Sequence, residues 1–192
     1  MKTSLWKTVF LSVSLLSTAS VVYADNWKTE GLYQVKDGLV KDPKSGLMWM
    51  RCSVGQKWDG SQCQGAATLY SWEKAMDMPE KFDYASYKDW RVPSHNELKS
   101  LVYCTDGQIN KLDKQHSQCG DDYAVPTIVQ TAFPQTPDSW FWTSSPETDD
   151  WFCVFPYTLL GNFSWVVNFS NGLDVPSHRD DSGYLRLVRN GK

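Results

Sequence analysis

Histidine is scarce in this chain: three in 192 residues, at His95, His116 and His178, too far apart for a local metal-binding spacing. Gly-x-Ser-x-Gly, His-Glu-x-x-His and a glycine-rich phosphate loop after a strand are all missing. Nucleophile-elbow hydrolysis, zincin-type proteolysis and nucleotide chemistry therefore lack their signatures. Positive charge is also short, with 19 Lys and Arg against 22 Asp and Glu, a net charge of −3 and no basic run. That balance gives no electrostatic footing for nucleic acid or an anionic membrane. An acidic ligand would need basic residues gathered in space by the fold. There is no repeat, low-complexity tract or long linker, and the one apolar run, Val9 to Leu16, is too short and too rich in Ser and Thr to span a bilayer.

That run has the layout of an export signal. Lys2 and Lys7 form a basic front, the apolar stretch follows, and Val22-Tyr23-Ala24 supplies small residues at the cleavage positions. The expectation is cleavage after Ala24, a single domain over residues 25–192, and a periplasmic or secreted location. Export makes disulfides the default for the five cysteines. The closest pairs are Cys52–Cys63 and Cys104–Cys119, each closing a short polar loop, although connectivity is open from sequence alone. Local pairing leaves Cys153, flanked by aromatics in "DWFCVFPY", as a buried inert thiol.

Aromatics are abundant, with 10 Trp, 9 Tyr and 8 Phe, which suits both cores and ligand platforms. "LYQVKDGLVKDPKSGLMWMRC" reads as short strands broken at Asp37-Gly38 and at Asp42 to Gly46. "LYSWEKAMDM" reads as a helix with Ser71 as N-cap. "KDWRVPSHNELKSLV" reads as a second helix, with Ser94 and Glu97 at capping-box spacing and Leu98, Leu101 and Val102 on one face. His95 and Glu97 are then a first-turn polar residue and a capping partner, not an acid–base pair. The stretch from Thr105 to Ser139 reads as loop. "SWFWTSS", "WFCVFPY", "SWVVNFSNG" and "GYLRLVR" read as strands. The expected fold class is α+β, a small antiparallel sheet with two helices and long ordered loops.

The ordered set "VKDPKSGLMWMRCSVGQKWDG", "YSWEKAM", "DWRVPSHNELKSLV", "PTIVQTAFPQTPDSWFWTSS", "WVVNFSNG" and "YLRLVR", from about Leu32 to Arg189, resembles a family of exported bacterial domains of poorly defined function. That family includes the C-terminal domain of the Legionella collagen-like protein, and it resembles in turn the C-type-lectin-like fold of formylglycine-generating enzymes. The resemblance implies that Arg91 to Leu98 leads from a sheet edge into the second helix, with Arg91 tying loops together, and that Leu185 to Arg189 forms a closing strand. It also implies a test for enzyme activity. The related enzymes hold copper between two cysteines, and this chain has only Cys153 in its C-terminal part. A soft metal needs converging thiolates, so a non-catalytic reading is expected.

Calcium, as in sugar-binding lectins, has weak support. Thr136 interrupts a Gln-Pro-Asp pattern, Trp165 is separated from Asn168, and the pairs Asp121-Asp122, Asp149-Asp150 and Asp180-Asp181 read as solvated turns. The polar stretch from Asn168 to Tyr184, lodged between apolar strands, reads as a displayed loop or hairpin. Asn168, Asn171, Asp174, His178, Arg179 and Tyr184 are its candidate ligand-binding residues, with Trp142 or Trp165 as a flat face. Removing Asp174, His178 and Arg179 together is expected to leave stability unchanged. The function expected is a binding module for a surface polysaccharide, a glycosaminoglycan or a protein. A formylglycine-generating oxidase and a periplasmic inhibitor or immunity protein are the alternatives.

Overall fold

The computed structural model describes residues 26–111, 116–147 and 162–191. The signal segment, Cys153, Asp149-Asp150 and the "WFCVFPY" strand fall outside the described residues. The chain folds as α+β, mostly antiparallel, with two short helices. One sheet has the order β1-β2-β3-β4-β12 and consists of β1 (Lys28–Glu30), β2 (Tyr33–Lys36), β3 (Leu39–Lys41), β4 (Leu47–Met50) and β12 (Val188–Asn190). A second has the order β11-β10-β9 and consists of β9 (Trp140–Pro146), β10 (Phe163–Asn168) and β11 (Asp174–His178).

Register explains why both sheets are apolar on both faces. Val35 lies opposite Val40, Val40 opposite Trp49, and Trp49 opposite Val188, so these four share a face. Together with Leu98, Leu101, Phe133, Phe141, Val167 and Phe169 they form one core. Their neighbours in sequence, Leu39, Met48 and Met50, point the other way and join Ala75, Trp90, Trp142, Val166 and Leu187 in a second core. The second sheet is divided likewise, with Val167 opposite Phe141 on one face and Val166 opposite Trp142 on the other.

Helix α1 (Trp72–Asp77) seals the second core through Ala75. Ser71 sits at its N-cap position but its side chain makes no capping bond. Helix α2 (His95–Lys99) seals the first core, and its capping box is complete: the Ser94 hydroxyl accepts from Glu97 N, and the Glu97 carboxylate accepts from Ser94 N at 2.8 Å. The chain enters α2 from the edge of the first sheet, where Arg91 and Val188 exchange both backbone bonds. Arg91 does not tie loops together. Its guanidinium grips Glu97 in a two-pronged bond of 2.7 and 2.6 Å and so braces the cap.

The loop-tying arginine is Arg186, in the closing segment. It is fully buried and donates to the carbonyls of Met50 (2.9 Å) and Arg51 (2.5 Å) and to the hydroxyls of Ser53 (3.2 Å) and Thr136 (2.8 Å). Its charge sits over the Phe133 ring with no carboxylate bonded to it among the described residues, and burial pulls its pKa down to about 9.

Both disulfides join the local partners, Cys52 to Cys63 and Cys104 to Cys119. The first closes the hairpin of β5 (Lys57–Trp58) and β6 (Cys63–Gln64). The second lies beside a hairpin of β7 (Ile109–Lys111) and β8 (Ser117–Cys119), inside a stretch that reads from sequence as plain loop. The pattern there is too short and polar to register as strand; the cross-link and the turn at Gly172 hold it in place.

Candidate functional site

The stretch from Asn168 to Tyr184 is not an open loop. It turns at Asn168 to Gly172 and returns as β11, so several of its polar side chains face inward. Asp174 is 2% exposed. Its carboxylate meets His95 Nε2 at 2.7 Å, the Lys99 ammonium, and Ser117 N at 3.3 Å. His95 and Lys99 are four apart on α2, the spacing that puts both on one helix face. Lys99 also donates to the carbonyls of Ser117 (2.8 Å) and Gly172 (2.6 Å). The hydrogen bonds from His95 and Lys99 outweigh burial and hold the Asp174 carboxyl below the usual range, while burial lowers the Lys99 ammonium. Trp165 stacks on His95 at 4.3 Å and meets His116 at 5.5 Å. This is an interior lock joining α2, β8, β10 and β11.

Other members of the expected set are also engaged. The Asn168 and Asn171 side chains accept from the backbone N–H of Ser170 and Leu173, shaping the turn. Trp142 is 1% exposed and its indole N–H donates to the Tyr70 carbonyl. It is a core residue, not a ligand platform. Tyr184 packs on Phe141. His178 and Arg179 remain half-exposed, with the Arg179 guanidinium 4.0 Å from the Trp72 ring centre and bonded to Ser164 Oγ at 3.0 Å. The structure therefore gathers Asp174 with residues of α2, leaves His178 and Arg179 at the surface, and withdraws Asn168, Asp174 and Trp142 from display because their polar atoms are satisfied internally. No three His, Cys, Asp or Glu converge among the described residues.

A different surface carries two neighbouring clefts. The Asp37-Gly38 turn between β2 and β3 stands between two clefts of about 490 and 370 Å³, both lined by Lys36 and Asp37. The larger adds Trp27, Lys41, Ala85, Ser86 and Tyr87 to its walls; the smaller adds Asn26, Lys28, Arg51 and Trp58. The turn is anchored from below. Gly38 lies so close to Tyr84 that a Cβ would sit 1.7 Å from the phenol oxygen, and that phenol donates to the Gly38 carbonyl at 3.1 Å. Asp37 takes a left-handed backbone, φ +51°, which Asp tolerates better than most residues.

Among the described residues, four cations and one carboxylate line the two clefts. Lys28 shares its charge with Glu30 on the same strand. Arg51 bonds only carbonyls, those of Asp37, Thr131 and Ala132, while its guanidinium lies 4.1 Å from the Trp58 ring centre. Behind it, Arg186 clasps the Arg51 carbonyl. Arg51 thus lines the smaller cleft with its hydrogen bonds spent on neutral carbonyls, while the Glu30 carboxylate acts on it through space. Sequence reading missed this surface because its residues come from separate turns; the Cys52–Cys63 loop carrying Trp58 was its one visible marker.

The Lcl C-terminal domain family model matches residues 38–189. The chain belongs to that family. No curated protein and no solved structure matches it. The span that matches the Lcl C-terminal domain covers both disulfides and both helices, runs from β3 into β12, and begins just after Asp37, so β1 and β2 precede it. No helix among the described residues is long and apolar enough to cross a membrane.

Proposed function

We propose that this Lcl C-terminal domain is an exported, C-type-lectin-like binding module that works by holding an acidic polysaccharide, of the glycosaminoglycan or surface-polymer kind, rather than by turnover. The observation carrying this reading is the pair of cation-lined, aromatic-walled clefts on either side of Asp37-Gly38 in a chain whose overall charge is negative. Local fields, not net charge, decide what a cleft attracts. Trp58 and Tyr87 are half-exposed, with Arg51 over one ring and Arg189 over the other, and their remaining ring surface beside the cations suits a sugar that is hydrophobic on its faces and charged at its edge. Export is supported by the leader-like first residues, and the lectin-like fold by the capped Arg-Val-Pro entry into α2 and the closing strand β12.

The oxidase alternative has less to stand on, since Cys104 and Cys119 are bonded to each other and neither is free to join Cys153. The test is surface-immobilised heparin with mature protein at low and moderate salt. Binding that weakens with salt, and falls at least tenfold in the Lys36→Gln/Lys41→Gln variant, supports the reading. No binding at low salt sinks it.

A further inference from the structure

The two clefts are not separate sites, because one residue pair, Lys36 and Asp37, belongs to both. A chain entering one cleft and leaving by the other must cross the Asp37-Gly38 turn, and among the described residues the carboxylate at that crossing is the only one lining either cleft. Resting on the reading above, we infer that a single polysaccharide chain lies across this turn, with acidic units in the two clefts and an uncharged, hydroxyl-bearing unit over Asp37. Asp37 is then the residue that sets specificity by charge spacing.

Three features carry the inference. Each cleft is within the range of about 300–1,000 Å³ that accommodates a ligand of a few rings, so the pair accommodates a longer chain than either alone. Lys41 lies only on the larger cleft and Arg51 only on the smaller, so cationic groups flank the turn on both sides. The turn itself cannot yield: Tyr84 fills the space beneath Gly38 and Arg51 holds the Asp37 carbonyl at 3.3 Å. A carboxylate carried on that turn accepts hydrogen bonds from sugar hydroxyls and repels sulfate or a second carboxylate, which is discrimination by a repulsive element. Joining two weak subsites through one ligand also makes the second contact intramolecular, so affinity should step upward once the chain is long enough to reach both.

The experiment uses size-defined fragments of hyaluronan, which carries one carboxylate per disaccharide, and of heparin, which is charged on nearly every ring. Both are titrated into wild type and Asp37→Asn. Asn keeps the size and accepts the left-handed backbone, so the turn should survive, with the melting temperature as the control. The expected result has two parts. Affinity for hyaluronan rises at least tenfold once fragments are long enough to reach both clefts. Asp37→Asn shifts the ratio of heparin to hyaluronan affinity at least fivefold in favour of heparin. Equal change for both polymers in Asp37→Asn, or a disaccharide that binds as well as the long chain, overturns the inference and leaves the binding reading standing. If wild type does not bind heparin at low salt, the binding reading falls and this one falls with it.

Discussion

Replacing Asp174 by Ala should be one of the most damaging single changes in the molecule, although its position in a polar hairpin suggests a tolerant surface site. The carboxylate is 2% exposed and receives His95, Lys99 and Ser117 N. Removing it leaves the Lys99 ammonium, itself 22% exposed, without a counter-ion. Breaking a fully buried pair costs about 3–5 kcal/mol. Lys99 keeps two carbonyl acceptors and some access to water, so about 2–4 kcal/mol is the appropriate range after that discount. For a domain of this size that is a drop of roughly 5–15 °C in melting temperature. Urea unfolding read by tryptophan fluorescence should show a lower midpoint with unchanged slope. Adding Lys99→Met should recover part of the loss, because the stranded charge goes with it. A change below about 0.5 kcal/mol, the range of a surface substitution, would refute the lock and restore Asp174 as a displayed residue.

Acid should weaken the fold through the same groups. Glu97 is held below its usual range first by its bond from Arg91, and Asp174 by His95 and Lys99 against the opposing effect of burial. A depressed carboxyl stabilises the fold above its unfolded pKa, near 4, and loses that contribution as pH falls through the lower folded value. Stability should therefore be flat between about pH 5 and about pH 8 and fall below 4, with the fall shallower in Glu97→Gln; an unchanged acid limb in that variant would argue against the Arg91 brace. Cross-linking gives a separate test. Loops of 11 and 15 residues are closed by the two disulfides, and each should contribute about 3 kcal/mol. Cys104→Ser/Cys119→Ser should in addition speed amide exchange at Ser117, whose N–H and C=O both serve the Asp174 lock. Exchange there as slow as in wild type would show that the hairpin holds without its bridge.

Much of the scaffold is legible in the sequence because its signals are local. The capping box at Ser94 and Glu97, the Asp37-Gly38 turn, the aromatic strands and the short Cys spacings each depend on residues within a few positions of one another. What sequence could not supply is convergence. Asp174 reads as a loop acid until α2 is placed over β11, when His95 and Lys99 on one helix face meet it. Trp142 reads as a platform until its register opposite Val166 turns it into the second core. Lys41, Arg51, Trp58 and Tyr87 come from four different stretches and become a surface only when the first sheet and the Cys52–Cys63 hairpin stand together. Arg91 and Arg186 show the same lesson in exchange: both sit in arginine-bearing motifs, and only packing tells which is fully buried.

The most direct test of the central claim is calorimetric titration of heparin into the mature protein at about 50 mM and about 200 mM salt, with Lys36→Gln/Lys41→Gln alongside. The account predicts saturable binding at the lower salt, weaker at the higher, and at least tenfold weaker in the double variant with its melting temperature intact. Wild-type binding that ignores both salt and the loss of the two lysines, or no binding at all, would contradict it.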